Sequence, residues 1–149
     1  MYEKILVPVD GSPTSQLGLH EAIQLARLSG GRIKLLHVVD EVSFMTSLEA
    51  GVTLTAEILD LLRAGGQEVI DKALAEVRTA GLEADSELFE SYAGRVSDLV
   101  ITKAKEWGAQ LIVLGTHGRR GVGRMLLGSD AEQIVRLSPV PVLLVRGGN

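Results

Sequence analysis

The chain has 149 residues, 46% of them hydrophobic but only 3% aromatic, a formal charge of −4 and no cysteine. This length fits one domain over residues 1–149 with an aliphatic core, while the acidic balance and scarcity of rings disfavour nucleic acid. Disulfides, thiolate metal sites and a cysteine nucleophile are excluded; no run nears the roughly 20 apolar residues of a membrane span and no signal peptide is evident, so a cytoplasmic protein with no membrane partner is expected.

Lys4-Ile5-Leu6-Val7-Pro8-Val9 is a short apolar run stopped by Asp10-Gly11, the pattern of a buried strand. Ser12-Pro13 supplies an N-cap followed by proline at the first helical position. Leu19, Ala22, Ile23 and Ala26 recur at helical spacing behind it until Gly30-Gly31. The run from Ile33 to Val39 predicts a second strand, and residues 40–55, without a period, a mobile loop. An apolar stripe of Ile58, Leu61, Leu62, Val69, Ala73 and Val77 predicts a long helix over 56–80, with a kink or break at Gly65-Gly66 and an end at Gly81.

Leu82, Ala84, Ser86 and Leu88 alternate with charged residues, as in a half-exposed edge strand. Val96, Leu99, Val100, Ala104 and Trp107 mark a third helix closed by Gly108, and Leu111-Ile112-Val113-Leu114 a strand followed at once by Gly115. A glycine-rich loop runs to Gly128, Ser129 with Glu132 has the spacing of a capping box, and Val142-Leu143-Leu144-Val145 is a last strand. Five strands alternating with four helices specify a doubly wound five-stranded parallel sheet with helices on both faces. Such sheets take ligands at the carboxyl ends of their strands, where the strand order reverses.

The loop from Gly115 through His117, Gly118, Arg119, Arg120, Gly121, Gly123 and Arg124 to Gly128 leaves a strand and enters a helix. Glycines let backbone N–H groups approach an anion closely. A helix start adds a favourable dipole end, and the arginines add positive charge. A phosphorylated ligand fits this pattern; a mere connector is the alternative. The loop is not a Walker A motif, because Gly123 to Ser129 lacks the lysine, nor a G-x-G-x-x-G fingerprint, because Leu126 stands at the third glycine. Ser29-Gly30-Gly31 follows a helix and has Ile33 where a synthetase pyrophosphate loop needs Asp, so it is rejected too. His20 is expected at the surface and His37 as a hydrogen-bonded core residue. No histidine spacing suits a preformed zinc site, and no base is placed to activate a nucleophile.

Gly115, Gly118, Gly128 and Ser129 match the spacing G-x2-G-x9-G-[ST], which resembles the ATP-binding signature of universal stress proteins. KILVPVDGS, LLHVVDE and SPVPVLLVR resemble the same family, so the likeness covers essentially the whole chain. It implies a Rossmann-like sheet of order 3-2-1-4-5 (the adenine nucleotide alpha hydrolase type) and a homodimer built through the last strand. It implies further that Pro8 and Val9 line a base pocket, that Asp10 accepts from ribose or adenine, and that Val38 meets adenine through its backbone. Gly115, Gly118, Gly128 and Ser129 would hold ribose and phosphates, with Arg119 near the phosphate tail; for His117, read from its place in the glycine-rich loop alone, a phosphate contact and a structural hydrogen bond are both open. Asp130 departs from the small apolar residue of many ATP-binding relatives: it would repel a triphosphate unless Mg²⁺ lies between them. The expected function is an ATP-binding (or AMP/ADP-binding) stress-response regulator acting on an unknown protein partner. The alternatives are a weak nucleotide hydrolase or adenylyl-transfer enzyme, and an interaction module that binds no nucleotide.

Overall fold

The computed structural model describes residues 1–40, 55–91, 95–116 and 128–147. Strands β1 (Lys4–Pro8), β2 (Arg32–Asp40), β3 (Ala84–Ser91), β4 (Leu111–Thr116) and β5 (Val142–Arg146) form one sheet in the order β3-β2-β1-β4-β5. Every neighbouring pair is parallel. The chain lays β2 and then β3 on one side of β1 and crosses to its other side for β4 and β5, so the order reverses between β1 and β4.

Alternation along the strands explains how short apolar runs cover two faces. Ile5 and Val7 of β1, Ile33 and Leu35 of β2, and Leu111 and Val113 of β4 are buried in one core. Helices α1 (Pro13–Ser29) and α2 (Ala56–Thr79) close that core through Leu19, Ala22, Ile23, Ile70, Ala73 and Val77. Leu6, Leu36, Ile112 and Leu114 point the other way. They pack on α3 (Val96–Trp107) and α4 (Ser129–Leu137) through Val100, Ile101, Ala104 and Ile134.

Helix ends follow local chemistry at α1 and α2. The Ser12 side chain accepts from Ser15 N–H, Pro13 stands at the first helical position, and Gly30 closes α1 at φ 69°. Thr55 caps α2 by accepting from Ile58 N–H at 3.2 Å, and Gly81, at φ 79°, lets the chain leave it. Of the region expected as a loop, Asp40 therefore belongs to β2 and Thr55 to the start of α2, while residues 41–54 lie outside the described residues. The last strand begins after Pro141, whose carbonyl accepts from Ile112 N–H at 3.0 Å.

Two further expectations need correction, and the third helix forms as expected. Helix α2 is continuous through Gly65-Gly66, without the break. Gly66 is buried, and a Cβ there would lie 2.8 Å from the His37 ring and 2.9 Å from Leu88. The glycine thus serves close approach of helix to sheet. The Ser129–Glu132 capping box does not form: Gly128 is the N-cap, Ser129 is already helical, and no described side chain caps this end. Glu132 instead pairs with Arg136 one turn on, at 3.1 Å. On α3 the buried residues are Ser97, Val100, Ile101 and Ala104, whereas Leu99 is half-buried. Trp107 ends that helix with Lys4, Arg32 and Lys34 each 5.7–5.9 Å from the ring centre.

Candidate functional site

A cavity of about 330 Å³ opens where the sheet order reverses. Pro8, Val9 and Asp10 bring the end of β1 to it, His37 and Val38 the end of β2, and Gly115 and Thr116 the end of β4. Val96 and Val100 of α3 and Ile134 of α4 form an aliphatic wall, and Gly128, Ser129 and Asp130 form the opposite rim at the start of α4. An apolar chamber edged by a few directed polar groups is the usual build of a small-molecule site.

The polar groups are held by identifiable bonds. Val9 N–H donates to the Leu36 carbonyl at 2.8 Å, and His37 Nδ1 lies 2.7 Å from the Val9 carbonyl. Because a carbonyl only accepts, His37 carries its proton on Nδ1. Both backbone polar groups of Val9 are thereby held by β2, and with them the exit of the chain to Asp10. Asp10 N–H donates to Ser15 Oγ at 3.1 Å, while Asp10 Oδ1 accepts from Ser12 N–H at 2.9 Å. Its carboxylate is exposed at the rim, anchored by one oxygen.

Val38 offers backbone groups. Arg32 N–H donates to Glu3 and Ile33 N–H to Glu83, so even-numbered residues of β2 face β1 and odd-numbered ones face β3. Val38 therefore faces the β1 side, two residues past Leu36 and beyond the last pairing of Leu36 with Pro8. Its peptide groups open toward the cavity.

The two described glycines of the motif differ in kind. A Cβ on Gly115 would stand 1.8 Å from the Thr14 carbonyl oxygen, and one on Gly18 would stand 2.8 Å from Gly115 N. This glycine pair lets α1 rest directly on β4. Gly128, at φ −60°, would meet nothing within 4 Å among the described residues. Packing among the described residues does not demand a glycine there. Among the described residues the first N–H groups of the following helix have no side-chain partners, and Glu132 N–H is the first to reach back, to Gly128 at 3.0 Å.

The structure thus brings together Pro8, Val9, Asp10, Val38, Gly115, Gly128, Ser129 and Asp130 around one cavity. His117, Gly118 and Arg119 lie outside the described residues. Sequence reading assigned no part in the site to Thr14, Ser15, Thr116, Val96, Val100 or Ile134, which also line it. The i, i+4 spacing of Val96 and Val100 was a usable signal for one of these walls. His37 was foreseen as a hydrogen-bonded residue but not as a post for Val9; no local pattern reveals that bond, which spans 28 positions. His20 is exposed, near Gln16 and Glu76. Ser29-Gly30-Gly31 sits at the opposite, amino edge of the sheet, where a Cβ on Gly31 would strike the Tyr2 carbonyl at 2.6 Å. Among the described residues no three carboxylate or histidine side chains converge as a metal site, and no helix is long and apolar enough to cross a membrane.

A five-stranded parallel sheet in this order, with its cavity at the reversal point, defines a Rossmann-like α/β protein of the doubly wound class. The sequence model of the Universal stress protein family matches residues 1–146, and the chain belongs to that family. It is 32% identical to universal stress protein YxiE of Bacillus subtilis over 98% of this chain and 100% of that protein. Among solved structures, a universal stress protein family member from Burkholderia pseudomallei superposes with a TM-score of 0.76 at 30% identity, covering 97% of this chain and 96% of that one. The universal stress protein of Archaeoglobus fulgidus in complex with dAMP shares the fold, with a TM-score of 0.67 at 23% identity over 97% of this chain and 98% of that one.

Proposed function

We propose that this chain is a regulatory universal stress protein, one domain over residues 1–149, that binds an adenine nucleotide (ATP, ADP or AMP) in the cavity at the carboxyl edge of its sheet. The observation that carries the reading is the pairing of Val38 peptide groups at one end of the cavity with the N–H groups of the α4 start, uncapped by any described side chain, at the other. The first suits the hydrogen-bonding edge of a base, the second a phosphate. Between them Pro8, Val9 and the valines of α3 offer apolar surface for the adenine ring, and Asp10 an acceptor for ribose hydroxyls. The dAMP complex of the Archaeoglobus relative supports the same ligand class.

Gly128 and Ser129 would hold the phosphate end, together with Gly118, Arg119 and His117 of the motif. Any Mg²⁺ would arrive with the nucleotide, since Asp130 alone stands as a carboxylate at that rim. Bound nucleotide would act by favouring the state a protein partner reads, to the extent that its affinity for two states differs. β5 is the outermost strand on its side of the sheet, with half-buried Leu143 and Leu144, and a homodimer through that edge would cover it.

The test is calorimetric titration of the purified protein with ATP and AMP, alongside Gly128→Val. The variant is expected to weaken both ligands at least about tenfold, or roughly 1.4 kcal/mol, with an unchanged melting temperature, because nothing described lies within 4 Å of the added group. Unaltered affinity in a folded Gly128→Val protein, or no nucleotide binding by the wild type, would refute the reading.

A further inference from the structure

A side chain ends the pairing of β1 with β2 just where Val38 reaches the cavity. The register that sets Lys4 against Arg32 and Pro8 against Leu36 would next set Asp10 against Val38. In that register Arg32 N–H donates to the Glu3 carbonyl, and Val9 N–H donates to the Leu36 carbonyl. The next rung would carry Val38 N–H to the Val9 carbonyl. The structure lacks that rung. His37 Nδ1 stands 2.7 Å from the Val9 carbonyl oxygen instead and donates its proton there.

The imidazole is held in this position from behind. It lies against Gly66 of α2, where a Cβ would stand 2.8 Å from His37 Cδ2 and 3.1 Å from Nε2. The helix leaves the ring little room to withdraw from Val9. Val38 N–H is thus a donor with no hydrogen-bond partner among the described residues, in a half-buried residue that lines the cavity. Backbone donors left unpaired away from bulk water are rare in native structures. Here the ring of the preceding residue creates one.

We infer that His37 is a positioning residue of the nucleotide site: by taking the Val9 carbonyl, its Nδ1–H keeps the Val38 N–H open to an acceptor nitrogen on the edge of a heteroaromatic base. The inference rests on the nucleotide-binding reading above. Without the imidazole, β1 and β2 would zip by one further rung, and Val38 would direct its donor to Val9.

Amide hydrogen exchange read by NMR at Val38 and Leu36 tests the rung in the protein without ligand. In wild type Val38 is expected to exchange at least about tenfold faster than Leu36, and to slow when AMP is added. His37→Leu removes the donor. In this variant Val38 exchange is expected to slow at least about tenfold, and calorimetry to show AMP weakened at least about fivefold, the net worth of one hydrogen bond. His37→Asn sets an amide nitrogen near the place of Nδ1; it should restore the exchange rate and bring AMP within about twofold of wild type. A merely structural role for the ring would lower affinity without moving the Val38 amide.

Val38 as slow as Leu36 in ligand-free wild type would overturn the inference, and that comparison needs no variant to fold. A folded His37→Leu with unchanged Val38 exchange or unchanged AMP affinity would overturn it too, as would His37→Asn behaving like His37→Leu. Each of these results leaves the nucleotide site standing. Absence of AMP binding by the wild type would overturn the nucleotide reading and this inference with it.

Discussion

Gly65 and Gly66 are adjacent in α2 and carry the same intrinsic helix penalty, yet their surroundings demand opposite responses to alanine. Gly65 is exposed, and a Cβ added to it would have no neighbour within 4 Å among the described residues. Gly65→Ala should therefore stabilise by about 1 kcal/mol, the ordinary glycine-to-alanine gain in a helix interior. Gly66→Ala has the same gain available, but its Cβ would lie 2.8 Å from His37 Cδ2 and 2.9 Å from Leu88 Cδ1. Carbon atoms at rest stand about 3.5–4.0 Å apart, so most of an ångström must be recovered. Leu88 can yield by rotating. His37 yields only by releasing the Val9 carbonyl that its Nδ1 holds. Overpacking of this kind costs about 1–3 kcal/mol, which cancels the helix gain or exceeds it. Thermal denaturation followed by circular dichroism should rank Gly65→Ala above wild type and Gly66→Ala at or below it. At about 2–4 °C per kcal/mol for a chain of this size, the two variants should separate by roughly 6 °C. A double-mutant cycle with His37→Ala isolates the cause: the penalty of Gly66→Ala should largely vanish in that background. Equal melting shifts for the two single variants, or a penalty that persists without the imidazole, would refute the argument.

Gly115, a glycine of the cavity lining, offers a sharper case. Gly115→Ala places a Cβ 1.8 Å from the Thr14 carbonyl oxygen, a backbone atom that cannot rotate away; a loss of at least about 3 kcal/mol in urea denaturation is expected. Ser12→Ala removes the acceptor for Ser15 N–H at 3.2 Å and should cost about 1 kcal/mol in the same assay. The Lys103 ammonium is held above its ordinary value of 10.5, first by its hydrogen bond to Glu106, with burial opposing and the Glu106 and Glu87 charges adding to the rise. A raised folded value contributes stability that is fully present below the unfolded value and is lost as pH climbs through the folded one. Glu106→Gln should accordingly flatten the alkaline fall in stability above pH 10.5, measured by chemical denaturation across that range.

The strands and helices were legible in the sequence because each is written locally. Ile5 and Val7 against Leu6, or Leu111 and Val113 against Leu114, show a strand with two apolar faces, and Ser12-Pro13 with Gly30 marks both ends of one helix. The resemblance in Gly115, Gly128 and Ser129 pointed to the edge of the sheet where the cavity opens. Local reading failed where one residue type serves several purposes. Gly65 and Gly66 look alike as a pair of helix breakers, and only the sheet lying beneath Gly66 distinguishes them. Ser129 with Glu132 has the spacing of a cap, but Gly128 takes the cap position and Arg136 takes the glutamate.

Tertiary structure alone decided what each glycine is for and what holds Val9 in place. Thr14 meets Gly115, far along the chain, because α1 crosses β4, and His37 meets Val9 because β2 runs beside β1. Hydrophobic periodicity records which side of an element avoids water. The space around a Cβ and the partner of a buried nitrogen depend on elements distant in the chain, and their proximity exists only once the sheet has formed.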